Sequence, residues 1–255
     1  MKYDGIIFDW AGTTVDYGCF APVKAFINGF EAFGITPNLE EVRKPMGMLK
    51  KDHIRTMFEM DRITNLWKEI HNRDWNEYDV DKVYKISEEQ ILNIVGEYSN
   101  PKPYVIETIE KVREMGLKIG STTGYTDEMM AIVTKKANEY GYKPDCWFGP
   151  NSVNNFGRPY PYMIFKNMYE LGLKDVSRVI KVGDTISDIL EGKNAGIVTV
   201  GVIEGSSVSG ITEDEYNKMN DEERERITKR VEQLYKEAGA DYVIKDIRGI
   251  IEIIK

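Results

Sequence analysis

Short apolar runs that end on a polar residue recur along the chain, separated by stretches in which apolar residues return every three or four positions. The first run, Ile6-Ile7-Phe8, stops at Asp9 and is followed by Ala11, Gly12, Thr13 and Thr14. A run over 117–122 ends in Ser121-Thr122-Thr123-Gly124, and one over 179–182 ends in Gly183-Asp184-Thr185. Shorter strand-like runs fall at 146–148, 198–203 and 242–244. Between them, helical spacing predicts helices over 20–33 (Val23, Phe26, Ile27, Phe30, closing at Gly34), 105–115, 127–140, 162–171 and 186–194. Strands alternating with helices specify an α/β protein with a doubly wound parallel sheet.

From Gly34 to about Tyr98 the spacing stays helical without a strand, with amphipathic stretches at 46–60, 63–71 and 80–95. A block of helices between two α/β stretches reads as an inserted α-helical cap. Pro101 and Pro103 cannot continue a helix and mark the return linker. The expected division is a core of 1–17 and 99–255 with a cap of 18–98. The charged segment 212–238 carries Ile227, Val231 and Leu234 on one face, the pattern of a solvated helix packed on the core.

Composition narrows the function classes. With 255 residues, 42% of them hydrophobic, the chain can bury a sizeable core. A net charge of -8 argues against a general nucleic-acid or membrane-surface binder and leaves room for a small anionic substrate held by a local Lys or Arg. Cys19 and Cys146 form no CxxC pair, which suits a reducing compartment. No apolar run is long enough to span a bilayer, and Met1-Lys2 leads directly into the first strand without room for a signal peptide, so the expectation is a soluble, cytoplasmic protein.

In a parallel sheet the three polar strand ends meet at one edge, where ligands bind. Asp9 is then a candidate nucleophile, or a helix cap. Asp184 and Asp188 add carboxylates, and hard oxygen ligands suit a magnesium ion. A divalent ion beside a nucleophilic carboxylate fits phosphoryl transfer, with Arg158 in Gly157-Arg158-Pro159 as the phosphate-binding cation. Singly, Asp188 reads equally as a helix salt bridge, Arg158 as a surface residue and Thr123 as a cap. As an ordered set (Asp9 with Thr13, then Thr123, then Arg158 in place of the commoner Lys, then Asp184 with Asp188) they resemble the haloacid dehalogenase (HAD) superfamily. The resemblance implies a Rossmann-like core and an aspartyl-phosphate formed on Asp9. It also implies Mg2+ held by the Asp9 carboxylate, the Ala11 carbonyl and Asp184, with the phosphoryl group bound by Thr123 and Arg158.

One departure redirects this reading. Phosphatases of the superfamily carry an Asp general acid where this chain has Ala11, so an alkoxide leaving group would go unprotonated. The expected cap offers another device. In RKPMGMLKKDHIR (43–55), Met46, Lys50 and His53 fall on one face of the predicted helix, with Lys51 directed elsewhere beside Asp52 and Arg55. Spacing alone favours a solvated Lys50. A lysine of lowered pKa, however, forms a Schiff base with an aldehyde, and the iminium can accept the electrons of a breaking carbon–phosphorus bond.

The stretches at 9–22, 44–53, 120–126, 157–161 and 181–188 together resemble the phosphonoacetaldehyde hydrolase (phosphonatase) family over nearly the whole chain. That resemblance implies a Lys50 Schiff base, His53 assisting proton transfer, Met46 and Gly47 beside the lysine, and Cys19 and Tyr125 in the surrounding network. It further implies a homodimer built through the caps. From the residues alone, Met46 and Tyr125 fit core or rim positions equally well, and His53 fits a satisfied helix histidine. Two rival readings are a phosphatase or phosphomutase acting on a phosphate ester, and a non-catalytic phosphate-binding scaffold. The segment 205–221, with Ser206 and Ser207, has no assigned part: the serines approach the site or only turn the chain.

Overall fold

A computed structural model describes residues 2–255. Five strands, β1 (Gly5–Phe8), β2 (Lys118–Ser121), β3 (Val179–Gly183), β4 (Val198–Val202) and β5 (Tyr242–Ile244), form one wholly parallel sheet in the order β2-β1-β3-β4-β5. All residues of β1 and β3 are buried, as expected where helices cover both faces of a parallel sheet. Phe8 lies level with Ser121 on one side and Val182 on the other. Asp9, Thr122 and Gly183 therefore emerge together at the point where the strand order reverses, the crevice in which open α/β sheets bind ligands.

Six helices separate β1 from β2, and the first five form the insert: α1 (Phe20–Glu31), α2 (Leu39–Arg43), α3 (Lys50–Phe58), α4 (Asp61–His71) and α5 (Glu77–Ile94). Phe58 organises this insert, with ring centroids 4.9 Å from Phe30, 5.0 Å from Trp67 and 5.3 Å from Trp75. The sheet is flanked by α6 (Val105–Glu114), α7 (Asp127–Glu139), α8 (Tyr162–Leu171), α9 (Ile186–Ala195), α10 (Glu213–Lys218), α11 (Asp221–Glu237) and α12 (Ile250–Ile254). One buried apolar cluster runs from Phe26, Met46 and Met57 of the insert to Trp10, Tyr125 and Val182 around the sheet, so the insert is packed down on the core. Among the described residues no helix is long and apolar enough to cross a membrane.

Four local expectations are corrected. The helix predicted over 46–60 begins only at Lys50: Gly47 takes φ +89° and Leu49 is extended, so Met46 sits in a turn before α3 and not on its face. Helix α2, not predicted, is signalled by a capping box between Asn38 and Glu41. Residues 146–148 make one bridge, Thr122 to Phe148, and no strand. The charged segment 212–238 is two helices, because a second capping box, Asn220 with Glu223, starts α11 just after α10 has been opened by Thr212 with Glu215.

Candidate active site

Asp9 leaves β1 into a ring of buried charge. Arg158 Nη2 lies 2.5 Å from Asp9 Oδ1 and donates to the Thr122 carbonyl and hydroxyl at 2.9 Å each. The same guanidinium meets Asp188 Oδ1 at 3.1 Å through Nη1 and Glu191 Oε2 at 3.0 Å through Nε. Lys181, fully buried on β3, closes the ring onto Asp188 (3.0 Å), Glu191 (3.1 Å) and the Thr122 hydroxyl (2.6 Å). Burial works against the Arg158 cation, but Asp188, Asp9 and Glu191 outweigh it and hold the guanidinium protonated. Burial likewise pushes the Asp188 carboxyl up, and Arg158 and Lys181 bring it below its ordinary value. For Asp9 burial prevails over Arg158, and its carboxyl sits above the ordinary range. Arg158 thus aims one nitrogen at Asp9 and is fixed by its other two.

Asp184 is held differently. Its Oδ1 accepts from the Thr13 hydroxyl at 3.0 Å, and its Oδ2 accepts from the Ser207 amide at 2.7 Å and hydroxyl at 2.8 Å, while no Lys or Arg forms an ion pair with it among the described residues. Burial, then Asp9 and Asp188, push its carboxyl up to about 7. Asp9, Asp184 and Asp188 offer oxygens that all lie within 4.8 Å of one another. Such a cluster of buried acids, one of them without a cationic partner, fits a hard divalent cation. Ala11 fits too: Val15 engages Trp10 O and Gly12 N, leaving the Ala11 carbonyl without a donor among the described residues. Asp188 is already committed to Arg158, Lys181 and the Thr185 hydroxyl at 2.6 Å, so Asp9, Asp184 and the Ala11 carbonyl are the available ligands.

Lys50 opens α3 and is only 4% exposed. It makes no ion pair among the described residues; its Nζ lies over the Tyr125 ring at 4.8 Å and the Phe26 ring at 5.8 Å. Burial lowers its pKa, and Cys19 and Asp9 restore only part of it; its place at a helix N-terminus acts in the same direction. Lys51 instead pairs with Asp81 at the surface and takes no part in this environment. His53, fully buried against the Phe26 ring at 4.2 Å, is held neutral by burial and by Lys50. Its Nε2 meets the Val42 carbonyl at 2.8 Å, which requires Nε2 to donate and leaves Nδ1 a buried acceptor without a partner among the described residues. Cys19 is buried with its thiol pushed well up by burial and Asp16, and the Tyr125 hydroxyl has no partner among the described residues.

Asp9, Ala11, Cys19, Met46, Gly47, Lys50, Thr123, Tyr125 and Arg158 line one cavity of about 20 Å³ between insert and core. Met46 reaches it from the turn, and Thr123, whose hydroxyl accepts from the Tyr125 amide at 3.1 Å, from the end of β2. Thr13 and His53 stand behind the cavity wall, against Asp184 and α1 respectively. Two glycines allow this close fit: a Cβ on Gly47 would lie 2.5 Å from Thr185 Oγ1, and one on Gly124 would lie 2.8 Å from Met48 O. Gly47→Ala is expected to prop the insert off the core and to strain a backbone at φ +89°. Turnover should fall by at least about tenfold, with Tm lowered by only a few degrees, as measured by steady-state kinetics beside calorimetry.

Sequence reasoning did not single out Lys181, Glu191, Thr122, Lys102, Arg43 or Asp16 as site residues. Asp16 caps α1 through Phe20 N (2.9 Å) and Ala21 N (3.1 Å), and burial pushes its carboxyl up to about 7. The one available signal was a lysine at the centre of an otherwise apolar strand, Val179-Ile180-Lys181-Val182, where only a buried partner could tolerate it.

A model of haloacid dehalogenase-like hydrolases matches residues 3–196, and one described as HAD hydrolase-like matches 155–249. The chain is a member of this class of hydrolase. A phosphonoacetaldehyde hydrolase from Lysinibacillus sphaericus is 48% identical over 98% of this chain and 93% of its own length. A bifunctional phosphonoacetaldehyde hydrolase/aminoethylphosphonate transaminase from Clostridioides difficile is 50% identical over 99% of this chain, which spans 40% of that longer protein. The crystal structure of a phosphonoacetaldehyde hydrolase-like protein from Oleispira antarctica superposes with a TM-score of 0.96 at 36% identity, over 100% of this chain and 92% of its own. The chain belongs to the phosphonoacetaldehyde hydrolase family.

Proposed function

We propose that the protein hydrolyses the carbon–phosphorus bond of phosphonoacetaldehyde to acetaldehyde and phosphate. The observation that carries this reading is Lys50: a buried lysine without an acid partner, facing the same cavity as a carboxylate nucleophile and a fixed guanidinium. In its neutral form Lys50 adds to the aldehyde carbon and water leaves, giving an iminium. Asp9 then attacks phosphorus. The carbon–phosphorus pair moves into the iminium to give an enamine on Lys50, which needs no general acid at Ala11. Protonation of the enamine carbon and hydrolysis of the imine release acetaldehyde, and water cleaves the aspartyl-phosphate.

His53 has the unprotonated Nδ1 to relay a proton during imine formation, with Met46, Cys19 and Tyr125 enclosing the amine. Thr123 and Arg158 would bind phosphoryl oxygens. Asp9, the Ala11 carbonyl and Asp184 would hold Mg2+, which when bound supplies charge neutralisation to the phosphoryl group.

The cavity has room for about one water. Substrate entry therefore requires the insert, residues 18–98, to lift as a cap from the core of 1–17 and 99–255 and to close again. A homodimer through the caps rests on the family resemblance, and cytoplasmic residence is consistent with two free cysteines. The test is product analysis with magnesium: acetaldehyde and phosphate should appear in equal amounts from phosphonoacetaldehyde, while an alkyl phosphate ester, whose alkoxide must be protonated as it leaves, should be turned over at least about 10³-fold more slowly for want of an acid at position 11. Preferential hydrolysis of the phosphate ester would overturn the reading.

A further inference from the structure

The segment 204–210 joins the helical insert to the acid that lacks a cation. Arg43, the last residue of α2, donates through Nη1 to the Gly18 carbonyl at 2.8 Å and to the Ser207 carbonyl at 2.9 Å. Gly18 in turn donates to Gly205 O at 2.8 Å. Ser207, held by Arg43 at its carbonyl, gives its amide and its hydroxyl to the same oxygen of Asp184. The return linker reaches the same place: Lys102 Nζ donates to the carbonyls of Gly12 and Glu204. Both connections between insert and core thus converge on a short loop that donates, through Ser207, to Asp184.

The docking of Arg43 is close and incomplete. Its guanidinium lies over the Phe20 ring at 4.8 Å, and a Cβ on Gly210 would come within 3.1 Å of Nε. Nε and Nη2 are buried without partners among the described residues. A cation with two dry, unpaired nitrogens gives back part of its docking energy in desolvation, so it can be released to water when the insert lifts.

Resting on the cap motion proposed above, we infer that Arg43 is a closure latch: in the docked state it fixes Ser207, and through Ser207 the orientation of Asp184, so that closure of the insert and readiness of the metal-binding acid are one equilibrium. Coupling of this kind is reciprocal. A cation bound at Asp184 must favour closure as much as closure favours the cation. Arg43 is a positioning residue, acting on Asp184 through the loop.

The experiment follows closure through Cys19, which is buried in the cavity next to Gly18, where the insert begins. A Cys146→Ser background leaves Cys19 as the one thiol. Labelling by N-ethylmaleimide and Mg2+ binding by calorimetry are measured with and without Arg43→Met, Arg43→Lys and Ser207→Ala. With Arg43 present, Mg2+ should slow labelling several-fold. In Arg43→Met, Mg2+ affinity should fall by about tenfold and the protection should drop below about twofold, with Arg43→Lys intermediate. Ser207→Ala, which keeps the latch and removes one donor to Asp184, should weaken Mg2+ binding while basal labelling stays at the level of the background protein. Affinity and protection unchanged within about twofold in Arg43→Met, or Mg2+ affinity unchanged in Ser207→Ala, would overturn the latch. Borohydride trapping of phosphonoacetaldehyde on Lys50 separates the two readings. Trapping with no Arg43 effect sinks the latch alone; an Arg43 effect without trapping keeps the latch and sinks the proposed chemistry.

Discussion

Lys50→Arg is expected to abolish release of acetaldehyde, lowering turnover by about 10⁴-fold or more. Arginine keeps the charge but cannot be deprotonated at workable pH, so it offers no amine to the aldehyde. In the unsubstituted protein, borohydride with phosphonoacetaldehyde should leave a reduced adduct on the peptide containing Lys50, and mass mapping should find none in the variant. Because burial lowers the Lys50 pKa, the neutral amine is populated at lower pH than for a free lysine. The trapping rate should rise with pH and level off below the ordinary lysine value near 10.4.

Lys50→Met separates charge from bulk, since the cavity of about 20 Å³ leaves little space for a guanidinium. It too should be inactive, yet more stable than the unsubstituted protein at neutral pH. The sign follows from linkage: a lysine whose folded pKa lies below its unfolded one costs stability while it is protonated in both states, and the cost fades as pH rises through the folded value towards the unfolded one. The gain on removing it should therefore shrink at alkaline pH, which thermal melts across a pH series would show. An adduct elsewhere in the chain, or an active Lys50→Met variant, would remove the Schiff base from the mechanism.

Much of this site was legible because its residues sit where backbone regularity places them. Asp9, Thr123 and Asp184 follow apolar strands, and a parallel sheet brings strand ends to one edge whatever the loops do. Lys50 and His53 were placed together correctly because three residues on α3 bring side chains to one face. Met46 was placed near Lys50 by extending that helix, whereas a turn at Gly47 delivers it. Local periodicity does not register a positive-φ glycine inside an otherwise helical pattern. The Lys181–Glu191 pair was not legible, and Ser207 was left open between approaching the site and turning the chain, because both depend on contacts across long separations in sequence. Three-residue capping boxes also outperform hydrophobic pattern at the ends of α2 and α11, where the first turn is nearly all polar.

Asp9→Asn should lower turnover by about 10⁴-fold or more and stop the reaction at a different place. Lys50 is untouched, so the borohydride adduct should still form, now without release of phosphate; loss of trapping in this variant would mean that Asp9 is needed for the imine and not for attack at phosphorus. The stability change should run opposite to the loss of activity. Asp9, Asp184, Asp188 and Glu191 are four buried carboxylates, and among the described residues only Arg158 and Lys181 form ion pairs with members of this set. The Asp9 carboxyl is held above its ordinary range, chiefly by burial, so its ionised form is disfavoured where it stands. An amide of the same shape removes one charge and leaves Arg158 tied to Asp188 and Glu191. In a chelator the variant should melt at or above the temperature of the unsubstituted protein. By the same linkage its advantage should grow as pH rises above the unfolded aspartate value, because there the unfolded chain ionises freely while the folded Asp9 must keep its proton or bury a charge. Magnesium should reverse the order, since the unsubstituted protein gains binding energy that the amide forgoes. A nucleophile kept at the expense of stability until its cation arrives is what separates a site built for phosphoryl transfer from a scaffold that only holds phosphate.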